Sequence, residues 1–138
     1  MKHIYVDGVF DLFHFGHLKF LENAKKEGGN NCLLIVGIIT DEDAAKYKRK
    51  PIIEHKMRCE ILKSLKIVDV VVETPPLILT EEFIYSHLID YVIHADDDYQ
   101  TKFFKVPIQL GKMRYIPYTA CISTTKIIEK ILNQFNGS

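Results

Sequence analysis

A stretch near the N-terminus combines residue types that bind anions. The sequence VDGVFDLFHFGH, residues 6–17, contains two aspartates, two histidines and two glycines. His14 and His17 are three residues apart, so at the first turn of a helix they would share one face, close to the preceding strand. The same spacing suits a metal pair or a helix cap, but the sequence places no third metal ligand. We therefore predict a phosphate site.

The elements that must position these histidines follow from the hydrophobic pattern. Short apolar, β-branched or aromatic runs predict strands at 3–6, 32–38, 68–72, 91–94 and 113–116. Helical periodicity predicts a helix that ends at Gly28 and Gly29, and further helices at 54–65, 80–87 and 123–135, with Thr80 and Ser123 as N-caps. This alternation predicts an α/β fold: a parallel sheet of about five strands with helices on both faces.

Polar segments follow four of these strands, and they hold the other candidate residues. The segments are DGVFDLFHFGH, TDEDAAKYKRK, HADDDY and IPYTACISTT. Ligands of open parallel sheets bind beyond the carboxyl ends of the strands, so we expect the four segments to converge there. The last one leads into a helix whose first amides, near Ser123, Thr124 and Thr125, suit a polyphosphate. A nucleotide would fit this site.

Composition restricts the classes of protein that remain. With 138 residues and 47% hydrophobic content, the chain is expected to form a single domain, residues 1–138. Basic and acidic residues number 18 each, which does not favour a nucleic-acid partner. Three widely separated cysteines predict reduced thiols, and no apolar run has the length of a membrane span or signal peptide. We expect a cytoplasmic protein without a membrane segment.

Several segments, in order, resemble the CTP-dependent cytidylyltransferases that activate phosphocholine, phosphoethanolamine or glycerol 3-phosphate. HFGH at 14–17 matches the HxGH signature of that superfamily, and YVDGVFDLFHFGH is most similar to the choline-phosphate branch. ISTT at 122–125 matches the end of the second signature, RTEGIST. Lys48 lies ten residues before Arg58, as the family's lysine lies before its arginine. The resemblance covers nearly the whole chain and implies a Rossmann-like nucleotidyltransferase fold.

The resemblance implies transfer of CMP from CTP to a phosphomonoester, giving a CDP-alcohol for phospholipid synthesis and releasing pyrophosphate. It assigns catalysis to His14, His17 and Lys48, which would stabilise charge on the phosphates. The implied nucleotide-binding residues are Gly8, Val9, Phe10, Gly16, His94, Asp96, Asp97, Tyr99, Tyr118, Thr119, Ile122, Ser123 and Thr124. The implied residues around the phosphomonoester are Asp7, Lys48, Leu77, Tyr99 and Phe104.

The resemblance also implies Mg²⁺ bound with CTP, and a homodimer, whereas no metal-binding residues are predicted in the chain itself. Two of the departures from the family pattern bear most directly on function. Tyr118 stands where the family has an arginine that contacts the nucleotide phosphates, and Arg114 or Lys112 could supply the missing charge. Leu77 stands where the choline branch has a tryptophan around its quaternary ammonium group.

These departures leave three functions open. We predict an enzyme that acts on phosphocholine or phosphoethanolamine. The alternatives are an enzyme that acts on a polyol phosphate such as glycerol 3-phosphate, and a CTP-binding module without catalytic activity. The lost arginine motivates the last of these, because a charge-assisted phosphate contact is costly to remove.

Overall fold

The computed structural model describes residues 1–96, 101–117 and 122–136. Within these ranges, five parallel strands form one sheet in the order β3-β2-β1-β4-β5. The strands are β1 (Lys2–Gly8), β2 (Cys32–Ile38), β3 (Val70–Val72), β4 (Tyr91–Ala95) and β5 (Met113–Ile116). The chain crosses from one side of β1 to the other between β3 and β4, so the strand order reverses beside β1. Such a reversal opens a crevice at the carboxyl ends of β1 and β4.

Helices cover both faces of this sheet. They are α1 (Phe15–Gly28), α2 (Asp41–Tyr47), α3 (His55–Ser64), α4 (Glu81–Ser86), α5 (Lys105–Gln109) and α6 (Thr124–Asn136), with a 3₁₀ turn at Thr101–Phe104. None of the helices in the described ranges is long and apolar enough to cross a membrane.

The core divides into two clusters because successive side chains of a strand point to opposite faces. On one face, Ile4 and Val6 of β1 are buried with Leu21 of α1. On the other face, Tyr5 is buried with Phe83 of α4. The predicted α/β fold, with a five-stranded parallel sheet between helices, is confirmed.

The predicted elements differ from the observed ones mainly where the sequence is polar or short. The third strand begins at Val70 rather than at residue 68. The helices α2 and α5 were not predicted. α2 is a polar segment without an apolar stripe, but the hydroxyl of Thr40 accepts a hydrogen bond from the Asp43 amide at 3.2 Å. Three acidic residues in its first turn also stabilise the helix, because their negative charges interact favourably with the positive end of the helix dipole.

Candidate active site

A cavity of about 600 Å³ lies at the carboxyl ends of β1 and β4. Four segments line it: the loop from β1 to α1, the residues after α2, the end of β4 and the start of α6. The described residues of the four predicted polar segments therefore converge, as expected. The predicted residues that line this cavity are Asp7, Gly8, Val9, Phe10, His14, Gly16, His17, Lys48, His94, Ile122, Ser123 and Thr124.

The two histidines cap α1 and present their outer ring nitrogens as donors. His14 is the N-cap residue: its Nδ1 accepts from the Gly16 amide at 3.0 Å, and Nδ1 of His17 accepts from the His14 amide at 3.2 Å. An acceptor nitrogen carries no proton, so each neutral ring holds its proton on Nε2. Nε2 of His14 is buried without a hydrogen-bond partner among the described residues, and an oxygen of a ligand would satisfy it.

Both histidines are neutral near pH 7. Burial, together with repulsion from His14 and Lys48 when these are charged, lowers the pKa of His17 to about 3. Burial also lowers the pKa of His14. The two rings stack with centroids 3.8 Å apart. At this distance two protonated rings would repel each other strongly. The histidines therefore act as hydrogen-bond donors, and positive charge must come from other side chains.

The loop from β1 to α1 has a strained backbone that tertiary contacts hold. Phe10 and Leu12 have φ angles of 55° and 50°, the left-handed region that residues other than glycine rarely adopt. Each such residue costs about 1–3 kcal/mol and persists only where its surroundings fix it. Asp11, between them, is 5% exposed, and its carboxylate accepts from the Ile52 and Ile53 amides at 2.7 and 2.8 Å.

Arg58 joins several segments around the cavity. Its side chain is fully buried and donates to the backbone carbonyls of Val9, Ile39 and Ile53 at 2.7–2.9 Å, and to the carboxylate of Asp41 at 2.5 Å. Burial acts to raise the pKa of Asp41, but the hydrogen bonds from Arg58 and from the His55 amide lower it overall. One guanidinium thus fixes the ends of β1 and β2 relative to α2.

Lys48 lies between two cavities. Its amide donates to the Ala44 carbonyl at the end of α2, and its exposed side chain lines both the main cavity and an adjoining one of about 40 Å³. The predicted phosphomonoester residues that line the small cavity are Asp7, Lys48, Leu77 and Phe104, joined by the aromatic Tyr47 and Phe103. The structure therefore groups the predicted phosphomonoester residues next to the predicted nucleotide residues.

Some predicted residues lie elsewhere or cannot be placed. Asp96 is exposed after β4 and lines neither cavity. Asp97, Tyr99, Tyr118 and Thr119 lie outside the described residues.

The prediction that Arg114 or Lys112 reaches the cavity is wrong. The Arg114 guanidinium lies 3.8 Å from the ring centroid of Tyr91, and Nζ of Lys112 donates to the Ile89 carbonyl at 3.1 Å. Both side chains therefore interact away from the cavity, whose lining includes neither residue.

Sequence reasoning missed Arg49, Asp11 and the role of Arg58. Arg49 lines the main cavity and stands beside Lys48, but the surrounding KYKRK is typical of a solvated basic loop. Asp11 belongs to the stretch at residues 6–17, yet its partner Ile52 is 41 positions away in sequence. For Arg58 the sequence did offer a signal, because its ten-residue spacing from Lys48 matches the spacing of the lysine and arginine in the family.

The strand order and the cavity at the carboxyl ends of β1 and β4 define a Rossmann-like α/β fold. A crystal structure of the lipopolysaccharide core biosynthesis protein from Thermoplasma volcanium GSS1 superposes with a TM-score of 0.71. It is 23% identical and the match covers 86% of this chain and 98% of that one. At this identity the likeness shows a shared fold alone.

The family follows from the sequence comparison. The family model described as cytidylyltransferase-like matches residues 5–130, so the chain belongs to the cytidylyltransferase-like family. It is 41% identical to the choline-phosphate cytidylyltransferase of Saccharomyces cerevisiae over 96% of its length. Choline-phosphate cytidylyltransferase 2 of Arabidopsis thaliana is 39% identical over 96% of the chain, and the ethanolamine-phosphate cytidylyltransferase of Dictyostelium discoideum is 36% identical over 94%. The chain spans 32–45% of the length of these relatives.

Proposed function

We propose that the chain transfers CMP from CTP to phosphocholine or phosphoethanolamine, giving the CDP-alcohol and pyrophosphate for phospholipid synthesis. The relatives just described are named for these two phosphomonoesters, and none of them is named for a polyol phosphate.

One observation carries the proposal: the Lys48 side chain lies where the two cavities meet, beside His14 and His17 in the larger one. The larger cavity has the histidine donors and the start of α6, which suit a triphosphate. The smaller cavity has the Asp7 carboxylate and aromatic rings, which suit a cationic headgroup. A phosphate group at the junction of the two cavities would contact Lys48, whether it belongs to the nucleotide in the larger cavity or to the phosphomonoester in the smaller one.

The reaction follows from this arrangement. A phosphate oxygen of the phosphomonoester attacks the α-phosphorus of CTP and forms the new phosphoanhydride bond. The bond from that phosphorus to the oxygen bridging to the β-phosphate breaks, and pyrophosphate leaves with the electron pair. The Nε2–H groups of His14 and His17 donate to phosphate oxygens, and the Lys48 ammonium holds the two reacting phosphates together.

Mg²⁺ is proposed to enter with CTP. Among residues 1–96, 101–117 and 122–136, no group of three or more histidine, cysteine, aspartate or glutamate side chains could hold a metal ion. Triphosphate oxygens are themselves good ligands for this hard cation. Mg²⁺ bound to them would neutralise part of their charge, while the chain positions the phosphates through the histidines and Lys48.

The test is an assay of pyrophosphate release from CTP and Mg²⁺ with phosphocholine, phosphoethanolamine and glycerol 3-phosphate side by side, with the CDP-alcohol identified by mass spectrometry. Release with either of the first two is expected. Release with glycerol 3-phosphate alone would contradict the substrate class. CTP binding in calorimetry without release from any of the three would instead identify a binding module.

A further inference from the structure

Two adjacent cations, Lys48 and Arg49, line the main cavity, and within the described lining they are the only lysine or arginine. They differ in one respect. Lys48 also lines the small cavity, whereas Arg49 lines the main one alone. If the transferred phosphate lies at the junction, Lys48 is beside it and Arg49 lies farther along the nucleotide site.

The Arg49 side chain reaches from the loop after α2 to the first turn of α6. Its guanidinium donates to the hydroxyl of Thr125 at 3.3 Å. A neutral partner at that distance makes a weak hydrogen bond. No carboxylate of the described residues pairs with Arg49, whereas Arg58 pairs with Asp41. The exposed guanidinium can therefore exchange the hydroxyl for a stronger anionic acceptor without breaking an ion pair.

The start of α6 makes the same place favourable for phosphate. The Ser123 hydroxyl accepts from the Lys126 amide at 3.1 Å, as an N-cap does. The amides of Thr124 and Thr125 have no partner within the helix, and both residues line the cavity. Arg49 and these amides thus offer a guanidinium and a helix N-terminus to one anion.

We infer that Arg49 binds the β- and γ-phosphates of the nucleotide and stabilises the departing pyrophosphate. The inference rests on the proposed function, because it assigns Arg49 to the leaving-group end of the same nucleotide. On binding, the guanidinium leaves Thr125 and donates to phosphate oxygens. A fork of parallel N–H groups suits phosphate better than a single ammonium does.

The test compares three ligands in calorimetry at fixed Mg²⁺: CTP, CMP and inorganic tripolyphosphate. Arg49→Gln should weaken binding of CTP and tripolyphosphate by about 10- to 100-fold, the range of a charge-assisted hydrogen bond. CMP has no β- or γ-phosphate, so its binding should change by less than about 3-fold. Arg49→Lys should fall between the wild type and Arg49→Gln, because it keeps the charge but loses the planar fork.

The matched control is Lys50→Gln, which removes the next positive charge along the chain. Lys50 is exposed and lines neither cavity, so this variant should bind all three ligands as the wild type does. In kinetics, Arg49→Gln should raise the KM for CTP and lower kcat, while leaving the KM for the phosphomonoester unchanged. Thermal unfolding of each variant verifies that it is folded.

The contrary results can be told apart. Unchanged CTP affinity in Arg49→Gln, with pyrophosphate released normally, would remove Arg49 from the site and leave the proposed function standing. Equal weakening of CMP and CTP would place Arg49 on the α-phosphate instead. Equal losses in Arg49→Gln and Lys50→Gln would indicate a general basic patch. A wild-type chain that binds neither CTP nor tripolyphosphate would overturn both the inference and the proposed function.

Discussion

The carboxylate of Asp11 accepts a hydrogen bond from the amide of Ile52 at 2.7 Å, across 41 positions of sequence. This contact ties the loop that carries the histidines to the segment that follows Lys48. The backbone carbonyl of Asp11 also accepts from the Thr124 hydroxyl at 2.8 Å, at the start of α6. Asp11 thereby connects three segments around the main cavity: its own loop, the segment after Lys48 and the start of α6.

Asp11→Asn should therefore affect both stability and substrate binding. The amide can accept only through its one oxygen, so one of the two backbone amides loses its acceptor, at a cost of about 1–3 kcal/mol in the free energy of unfolding. The KM for CTP should rise because the loop shifts. Urea denaturation and steady-state kinetics measure the two effects. The control is Glu42→Gln, at an exposed acid in the first turn of α2, which should cost less than about 1 kcal/mol in stability and leave the KM for CTP unchanged.

Arg58→Met should lower the free energy of unfolding by about 3–5 kcal/mol, since it leaves Asp41 and three carbonyls without their donor. Arg58→Lys should also destabilise, because an ammonium cannot reproduce the fixed geometry of the guanidinium. Thermal unfolding measures both. The control is Arg114→Met at an exposed ion pair with Glu27, expected to cost less than about 1 kcal/mol. Similar losses at both arginines would contradict the special role of Arg58.

Acidification should destabilise the chain through His17. Its folded pKa of about 3 lies below the unfolded value of about 6.5, so the unfolded chain binds more protons as the pH falls below 6.5. The free energy of unfolding should decrease between pH 7 and 5, with at most about 1.4 kcal/mol per pH unit from this residue. In His17→Asn, the asparagine side chain can still accept a hydrogen bond from the His14 amide, but it has no group that titrates in this pH range. Urea denaturation should show a shallower decrease of the free energy of unfolding with pH for this variant. Identical slopes for the variant and the wild type would exclude His17 as the source of the pH dependence.

The catalytic assignment predicts that His14→Ala, His17→Ala and Lys48→Ala each lower kcat by about 10²-fold or more, because each removes preorganised charge stabilisation. Lys46→Ala and Lys50→Ala are the matched controls. Lys46 pairs with Asp43 at 3.0 Å, and neither control residue lines a cavity. Steady-state kinetics of pyrophosphate release measure all five variants. Control variants as impaired as Lys48→Ala would mean that the loop acts only as a diffuse basic surface.

We propose a homodimer in which the DLFHFGH segment, residues 11–17, lies near the subunit contact and residues 66–69 face it. Phe15, at the start of α1, is 55% exposed and supports an apolar contact there. Analytical ultracentrifugation at micromolar concentration should give twice 16.0 kDa. Phe15→Ser should shift the equilibrium toward the monomer, whereas a wild-type monomer would rule the dimer out.

The elements of the fold could be predicted because they depend on local patterns. Period-two and helical spacing of apolar residues located the strands and the longer helices, and Thr80 was recognised as a cap because a hydroxyl beside a helix start satisfies a free amide. α2 was missed because its acidic residues and cap, rather than an apolar stripe, favour the helix.

Local sequence patterns were enough to predict a five-stranded parallel sheet, helices on its two faces and the place of the histidines at the carboxyl end of β1. These features depend on neighbours within a few positions, and chain order then restricts the topology. Three features are visible only in the folded chain: Asp11 and Arg58 organise the cavity, Arg49 rather than Arg114 lines it, and Lys48 lies where two cavities meet. Those facts depend on contacts between residues far apart in sequence, and no local pattern encodes the distance between such residues.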